Sequence, residues 1–105
     1  MTGDIHLIER IGNMKCIDKN IALWESGWWA VSTEKAEKLI GGRIFFHKAQ
    51  DKPSFFGGKI TKYRIETEGE WVGRILFSFT TGMEFKGVTT SREGWGMEKK
   101  FVEIS

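Results

Sequence analysis

A single cysteine, a single proline, a single tyrosine and two histidines in 105 residues remove several chemistries at the outset. Cys16 cannot close an intrachain disulfide, so stability has to come from burial. A chain of this length hides roughly two thirds of its unfolded surface, enough for one core without a bridge or a structural metal. His6 and His47 are far apart, and no Cys or His pair stands at the short spacings of a zinc site, so no metal and no other cofactor is expected. No apolar run approaches the roughly 18 residues of a membrane span. The opening Met1-Thr2-Gly3-Asp4 lacks the basic and apolar blocks of a secretory signal, which makes the cytoplasm the expected setting, without a membrane partner. The phosphate loop, the dinucleotide fingerprint and the Gly-x-Ser-x-Gly elbow are also missing, because Gly57-Gly58-Lys59 runs on into Ile60. Cys16, in Met14-Lys15-Cys16-Ile17, has no catalytic signature and reads as a small core residue.

What is abundant is charge, glycine and aromatic rings. The net charge of +2 is unevenly spread. Between Lys35 and Arg64 eight basic residues face only Glu37 and Asp51, a local excess of +6 that leaves −4 on the rest of the chain. A basic face of that kind is the footprint of a polyanion site, although a solvated surface produces the same pattern.

The periodicity predicts one domain over residues 1–105, of α+β class and β-dominated, a small mixed β-barrel with one principal helix. Asp4 to Ile11 alternates as a strand, and Ile17 to Trp24 places Ile17, Ile21 and Trp24 on one face of a short helix. Ser32 caps a helix from Thr33 to Ile40 that Gly41-Gly42 stops. Strands follow at Ile44 to Phe46, at Lys59 to Ile65, and around Ile75, Phe77 and Phe79, which point away from Arg74, Leu76 and Ser78. Gln50 to Ser54 is a loop and Glu66 to Glu70 an acidic turn, and Met83 to Val88 and Lys99 to Ile104 complete the strands. The Gly57-Gly58 doublet marks a bend, or a place where a ligand or another backbone comes close.

The stretch from Phe45 to Lys59 joins two phenylalanine doublets through a loop carrying His47, Gln50, Asp51 and Ser54, flanked by lysines. Rings to stack a base, polar groups to read its edge and ammonium groups for phosphate are the parts of a single-strand or flipped-base site. On a strand adjacent rings point to opposite faces, so one member of each doublet needs a home outside the core. The five tryptophans are a second anomaly. Trp28-Trp29 splits across two faces by the same rule, and Trp95 stands between Gly94 and Gly96, a candidate for an exposed ring, while Trp24 and Trp71 read as structural. The candidate ligand-binding residues are therefore Trp28, Trp29, Phe46, His47, Gln50, Ser54, Phe56 and Trp95, with Lys48, Lys52, Lys59, Lys62 and Arg64 for phosphate.

The order of these parts resembles a known family. A tryptophan strand (Trp28-Trp29-Ala30-Val31), a helix ending Ala36-Glu37-Lys38-Leu39-Ile40-Gly41-Gly42, an immediate strand Arg43-Ile44-Phe45-Phe46-His47, a polar loop and Phe56-Gly57-Gly58-Lys59-Ile60 look like the core of the PUA-like superfamily, in its EVE and ASCH branches. The resemblance is one of order and spacing over about residues 24 to 80. The Trp-x-Gly-Val-Arg-Asn word of EVE proteins is absent. It implies a small pseudo-barrel with a cleft that binds RNA or a modified DNA base.

Three functions follow as expectations. The first is a stand-alone module holding a nucleic acid or nucleotide between aromatic rings. The second is an accessory protein acting through a homodimer or partner interface built on exposed aromatics such as Trp95. The third is a small enzyme using His47 with Asp51 or a glutamate as acid and base.

Overall fold

In the computed structural model, residues 3–102 are described. Seven strands form one mixed sheet: β1 (Asp4–Ile8), β2 (Met14–Asp18), β3 (Leu23–Trp29), β4 (Arg43–His47), β5 (Ser54–Ile65), β6 (Ile75–Thr81) and β7 (Lys99–Val102). The helix α1 (Thr33–Leu39) connects β3 to β4. The order across the sheet is β2-β3-β6-β5-β4-β1-β7, with β1 and β4 parallel and every other neighbour antiparallel. Of the terminal strand expected at Lys99 to Ile104, Glu103 and Ile104 lie outside the described residues.

α1 forms where its sequence signals place it. The Ser32 hydroxyl accepts from the Lys35 amide at 3.2 Å, and Ala36 and Leu39 are the two buried positions on its inner face. At its end the Gly41 amide donates to the Ile60 carbonyl and the Ile60 amide to the Gly42 carbonyl, both at 2.9 Å, which pins the helix stop to β5. Beneath α1 lie Ile5, Leu7, Ile44, Phe46, Ile60, Ile75, Phe77 and Phe79, all with at most 1% exposure. Residues of β1, β4, β5 and β6 meet in this one cluster because the sheet curls around it.

The curl does not close. Among the described residues β2 and β7 are the two edges, no pairing joins them, and the expected barrel is an open sheet. The Gly57-Gly58 doublet is a close approach of backbones, as its sequence suggests. A Cβ on Gly57 would stand 2.3 Å from the Ile44 carbonyl oxygen and one on Gly58 2.5 Å from that of Thr80, so only glycine lets β4, β5 and β6 pack at this point.

Two segments differ from expectation. Residues 17–24 are not a helix, because Ile17 and Ile21 face solvent and their spacing marks no buried face. Asp18 instead caps a single 3₁₀ turn, Lys19–Ile21, by accepting from the Asn20 amide at 3.0 Å, and Ala22 at φ 53° reverses the chain into β3. Cys16 is consequently exposed on the edge strand rather than in the core. Residues 83–88 form a 3₁₀ turn, Met83–Phe85, and then irregular chain. The reason is Ser54, whose hydroxyl donates to the Phe85 carbonyl (2.7 Å) and accepts from the Val88 amide (3.0 Å), which staples the segment to the start of β5.

This staple also explains why β1 and β4 are buried on both faces. Phe46 points into the core, whereas Phe45 stacks on His6 with ring centres 4.8 Å apart and lies 6.0 Å from Phe85. The outer ring of the first doublet thus finds its home under the 83–98 segment.

Candidate functional site

The seam that the sheet leaves open is a cleft of about 670 Å³, within the ordinary range for small-molecule sites. One wall is the end of β3, with Gly27, Trp28, Trp29 and Ala30; the other is the end of β1 and the start of β7, with Ile8, Glu9, Arg10, Gly96, Met97, Glu98 and Lys99. Trp71 and Arg74, from the turn between β5 and β6, close one end. The Lys99 ammonium crosses the seam to the Ala30 carbonyl.

Both tryptophans of the doublet line the cleft at the point where the ladder slips between Ser26 and Trp29 against β6, and Trp29 also packs on the core, its ring 6.4 Å from that of Phe46. An irregularity of this kind re-aims side chains that regular alternation would split across two faces. Gly27 makes it possible: a Cβ there would lie 2.6 Å from Cγ of the buried Leu76. Trp28 is then fixed by its indole N–H, which donates to Glu66 Oε1 at 2.7 Å, and Trp29 by its own, which donates to the Ser26 hydroxyl at 3.2 Å. The Trp28 bond is the main cause that holds the Glu66 carboxyl below its ordinary value, with the Thr67 amide and Arg64 acting the same way.

Trp71 stacks on Trp28 with ring centres 6.2 Å apart and planes 13° from parallel. Two successive stacking contacts need roughly 7 Å, so the space between the pair is too small for a third ring. Trp71 keeps 38% of its surface exposed, and the Arg74 guanidinium sits 5.4 Å from its ring centre. The far wall is held by Glu9, itself buried, whose Oε1 accepts from the amides of Ile11 and Gly12 at 2.8 Å each.

Charge inside the seam has a clear pattern. Of the five arginines, Arg43 and Arg64 are clamped in two-point ion pairs, on Asp4 and on Glu25, while Arg10, Arg74 and Arg92 make no ion pair among the described residues. Arg10 and Arg74 line the cleft, and Arg10 with Arg92 lines a second one of about 460 Å³ that adjoins it.

The candidate residues from the sequence separate cleanly. Trp28 and Trp29 are in the cleft and Gln50 is in the adjoining one, its amide donating to the Met97 carbonyl at 2.9 Å. Phe46 and Phe56 pack with Phe79 in the interior, and Ser54 is occupied by its staple. Lys48, Lys52, Lys59 and Lys62 are exposed but line neither cleft, and Lys48 caps the Phe55 ring at 4.5 Å. Arg64 is held by Glu25, with Glu66 at 3.9 Å. Trp71, read as structural, and the three unpaired arginines are what sequence reasoning missed. The one available signal was the position of Trp71 beside the acidic turn, where a buried ring is not expected.

His47 has no exposed surface. Its Nδ1 lies 2.8 Å from the Lys52 carbonyl oxygen and its Nε2 2.8 Å from His6 Nδ1. A carbonyl only accepts, so His47 carries its proton on Nδ1, its Nε2 accepts, and His6 Nδ1 is the donor between the rings. Trp95 covers the pair, 5.7 Å from His47 at 88° and 6.4 Å from His6, and is half-buried rather than exposed. The imidazole therefore belongs to the core and reaches neither a ligand nor Asp51, and the interface reading loses its most exposed ring.

Burial first, and then the His47 ring, lowers the His6 pKa to about 4, with Lys100 and Arg43 adding to the shift and Asp4 opposing it. Burial also lowers that of His47, against the Lys52 carbonyl. Both rings are neutral in the fold, so the unfolded chain binds protons first as pH falls. The stabilisation is complete above pH 6.5 and is lost between 6.5 and about 4. The melting temperature should accordingly be flat from pH 8 to 7 and fall by several degrees from pH 6.5 to 4.5, a slope that a His6→Phe variant should reduce.

The chain matches no family model, no curated protein and no solved structure. No helix among the described residues is long and apolar enough to cross a membrane.

Proposed function

We propose that this protein is a binding module for a nucleobase carried on a phosphate-bearing ligand, held in the open seam of the sheet. The observation that carries the reading is the coincidence of two kinds of group in one place: three tryptophans lining a cleft, of which Trp29 also packs on the core, and arginines without carboxylate partners on the same walls. Flat rings stack any base through its π-face, and an unpaired guanidinium offers a two-point fork to phosphate. The basic segment of the sequence contributes little to this site; the cations on its walls come from residues 10, 74 and 99, which the fold gathers. The PUA-like resemblance of the sequence, which implies a cleft for RNA or a modified DNA base, belongs to the same proposal.

The test is a titration of the whole chain with labelled single-stranded RNA and DNA, followed by tryptophan fluorescence and anisotropy at two salt concentrations. Binding should quench the indoles and weaken with salt. Trp71→Ala should weaken it about 10- to 100-fold, since stacking on one ring contributes roughly 1–3 kcal/mol. Its melting temperature should move by only a few degrees, because the ring sits on an exposed turn. Absence of salt-sensitive binding to every oligonucleotide overturns the reading.

A further inference from the structure

The second cleft shares Ile8, Arg10, Met97 and Glu98 with the first, so the two form one groove with Arg10 at the junction. Its remaining walls are Gln50, Asp51 and Arg92, polar side chains without a ring among them. Stacking is thus confined to the first cleft. The second has the chemistry of a backbone seat. The Arg10 Nε donates to the Lys48 carbonyl at 3.2 Å, which fixes the guanidinium, and its two terminal nitrogens have no protein acceptor among the described residues. Arg92 likewise has no hydrogen-bonded or ion-pair partner there. The Gln50 bond to Met97 ties the β4–β5 loop to the 96–98 segment and makes the floor continuous.

We infer that this second cleft holds a phosphodiester next to the base stacked on the tryptophans, so that the ligand is a nucleotide inside a single strand rather than a free nucleoside or mononucleotide. The inference rests on the base-binding reading above and goes further in naming what lies beside the base. The charge decides between the two kinds of phosphate. Arg10 and Arg92 face Asp51 and Glu98 in the same cleft, a balance near zero. A terminal phosphate brings nearly two negative charges at neutral pH, and the two carboxylates oppose it. An internal phosphodiester brings one, which two unpaired guanidinium groups accommodate. An internal phosphodiester exists only where the strand continues.

The experiment compares homotrinucleotides of each base, as RNA and as DNA, with the matching 5′-mononucleotides and free nucleosides, using wild type, Arg92→Gln and Trp71→Ala chains. For the base that binds, the trinucleotide should bind at least about tenfold tighter than its nucleotide and nucleoside. Arg92→Gln should remove most of that gain, leave nucleoside binding within about twofold, and lower the salt slope of the trinucleotide by about 0.7. Arg92 is exposed, so circular dichroism and melting should be unchanged. Trp71→Ala should weaken all three ligands. A trinucleotide that binds no tighter than its nucleoside overturns the inference, as does an Arg92→Gln loss equal for both. Failure of every probe, nucleosides included, overturns the base-binding reading beneath it.

Discussion

Replacing His47 by alanine should destabilise the fold by about 4 kcal/mol, lowering the melting temperature by about 20 °C, with no selective effect on ligand binding at temperatures where the variant remains folded. The size follows from three losses at one position. A fully buried ring is removed from between His6, with ring centres 5.0 Å apart, and Trp95, which packs on it edge-on, and the neighbours relax only partly into the space. The Nδ1–H of His6 loses its acceptor, and the Lys52 carbonyl loses its donor. Each orphaned group then carries the desolvation cost that the bond had offset. Because the two histidines share one hydrogen bond, His6→Ala and His47→Ala together should cost less than the sum of the singles. Denaturant unfolding of the four chains measures this directly. A His47→Ala chain that melts near wild type but no longer binds oligonucleotide would return the residue to the ligand site.

The histidine pair also shows where sequence reading stops. Helix α1 is legible because its cap, its inner face and its stop are written in one short run from Ser32 to Gly42, and the glycine doublet of β5 is legible because an unneeded glycine in a strand implies a close neighbour. His6 and His47 are 41 positions apart and become partners only through the parallel pairing of β1 with β4, which no local pattern encodes. The same applies to the cleft. A run of lysines along the sequence suggests a basic face, and the bulge after Ile60 does set Lys59, Lys62 and Arg64 on one outer face of β5, but the two lysines line neither cleft and Arg64 is neutralised by Glu25 from a strand far away in sequence. The arginines that remain unpaired are scattered at positions 10, 74 and 92, and only the open seam brings them to one groove. Trp71 escapes a local reading for a related reason: large aromatic residues are usually found in the core, whereas this one sits on a turn and stacks on Trp28 of β3.

Gly27→Val should lower stability by about 3 kcal/mol and abolish ligand binding together, and the two losses should be separable. The added Cβ would stand 2.6 Å from Leu76 Cγ, 3.0 Å from its Cδ2 and 3.2 Å from its Cβ. Leu76 is itself buried on β6, so the conflict is not with a free side-chain end that can swing into water. Relief must come from displacing β3 away from β6 at the ladder slip where Trp28 and Trp29 line the cleft. Displacement there also strains the Trp28 bond to Glu66 and the stack on Trp71, which depend on a fixed backbone. Leu76→Ala opens room where the new methyl groups would go. Alone it should destabilise by about 2–3 kcal/mol through the cavity it leaves. Combined with Gly27→Val it should cost less than the sum, a coupling of about 1–2 kcal/mol in a double-mutant cycle, and should restore a measurable part of the oligonucleotide affinity. Additive stabilities would mean that β3 accepts a side chain at position 27 without pressing on Leu76. Full binding by the Gly27→Val chain would show that the slip does not aim the tryptophans.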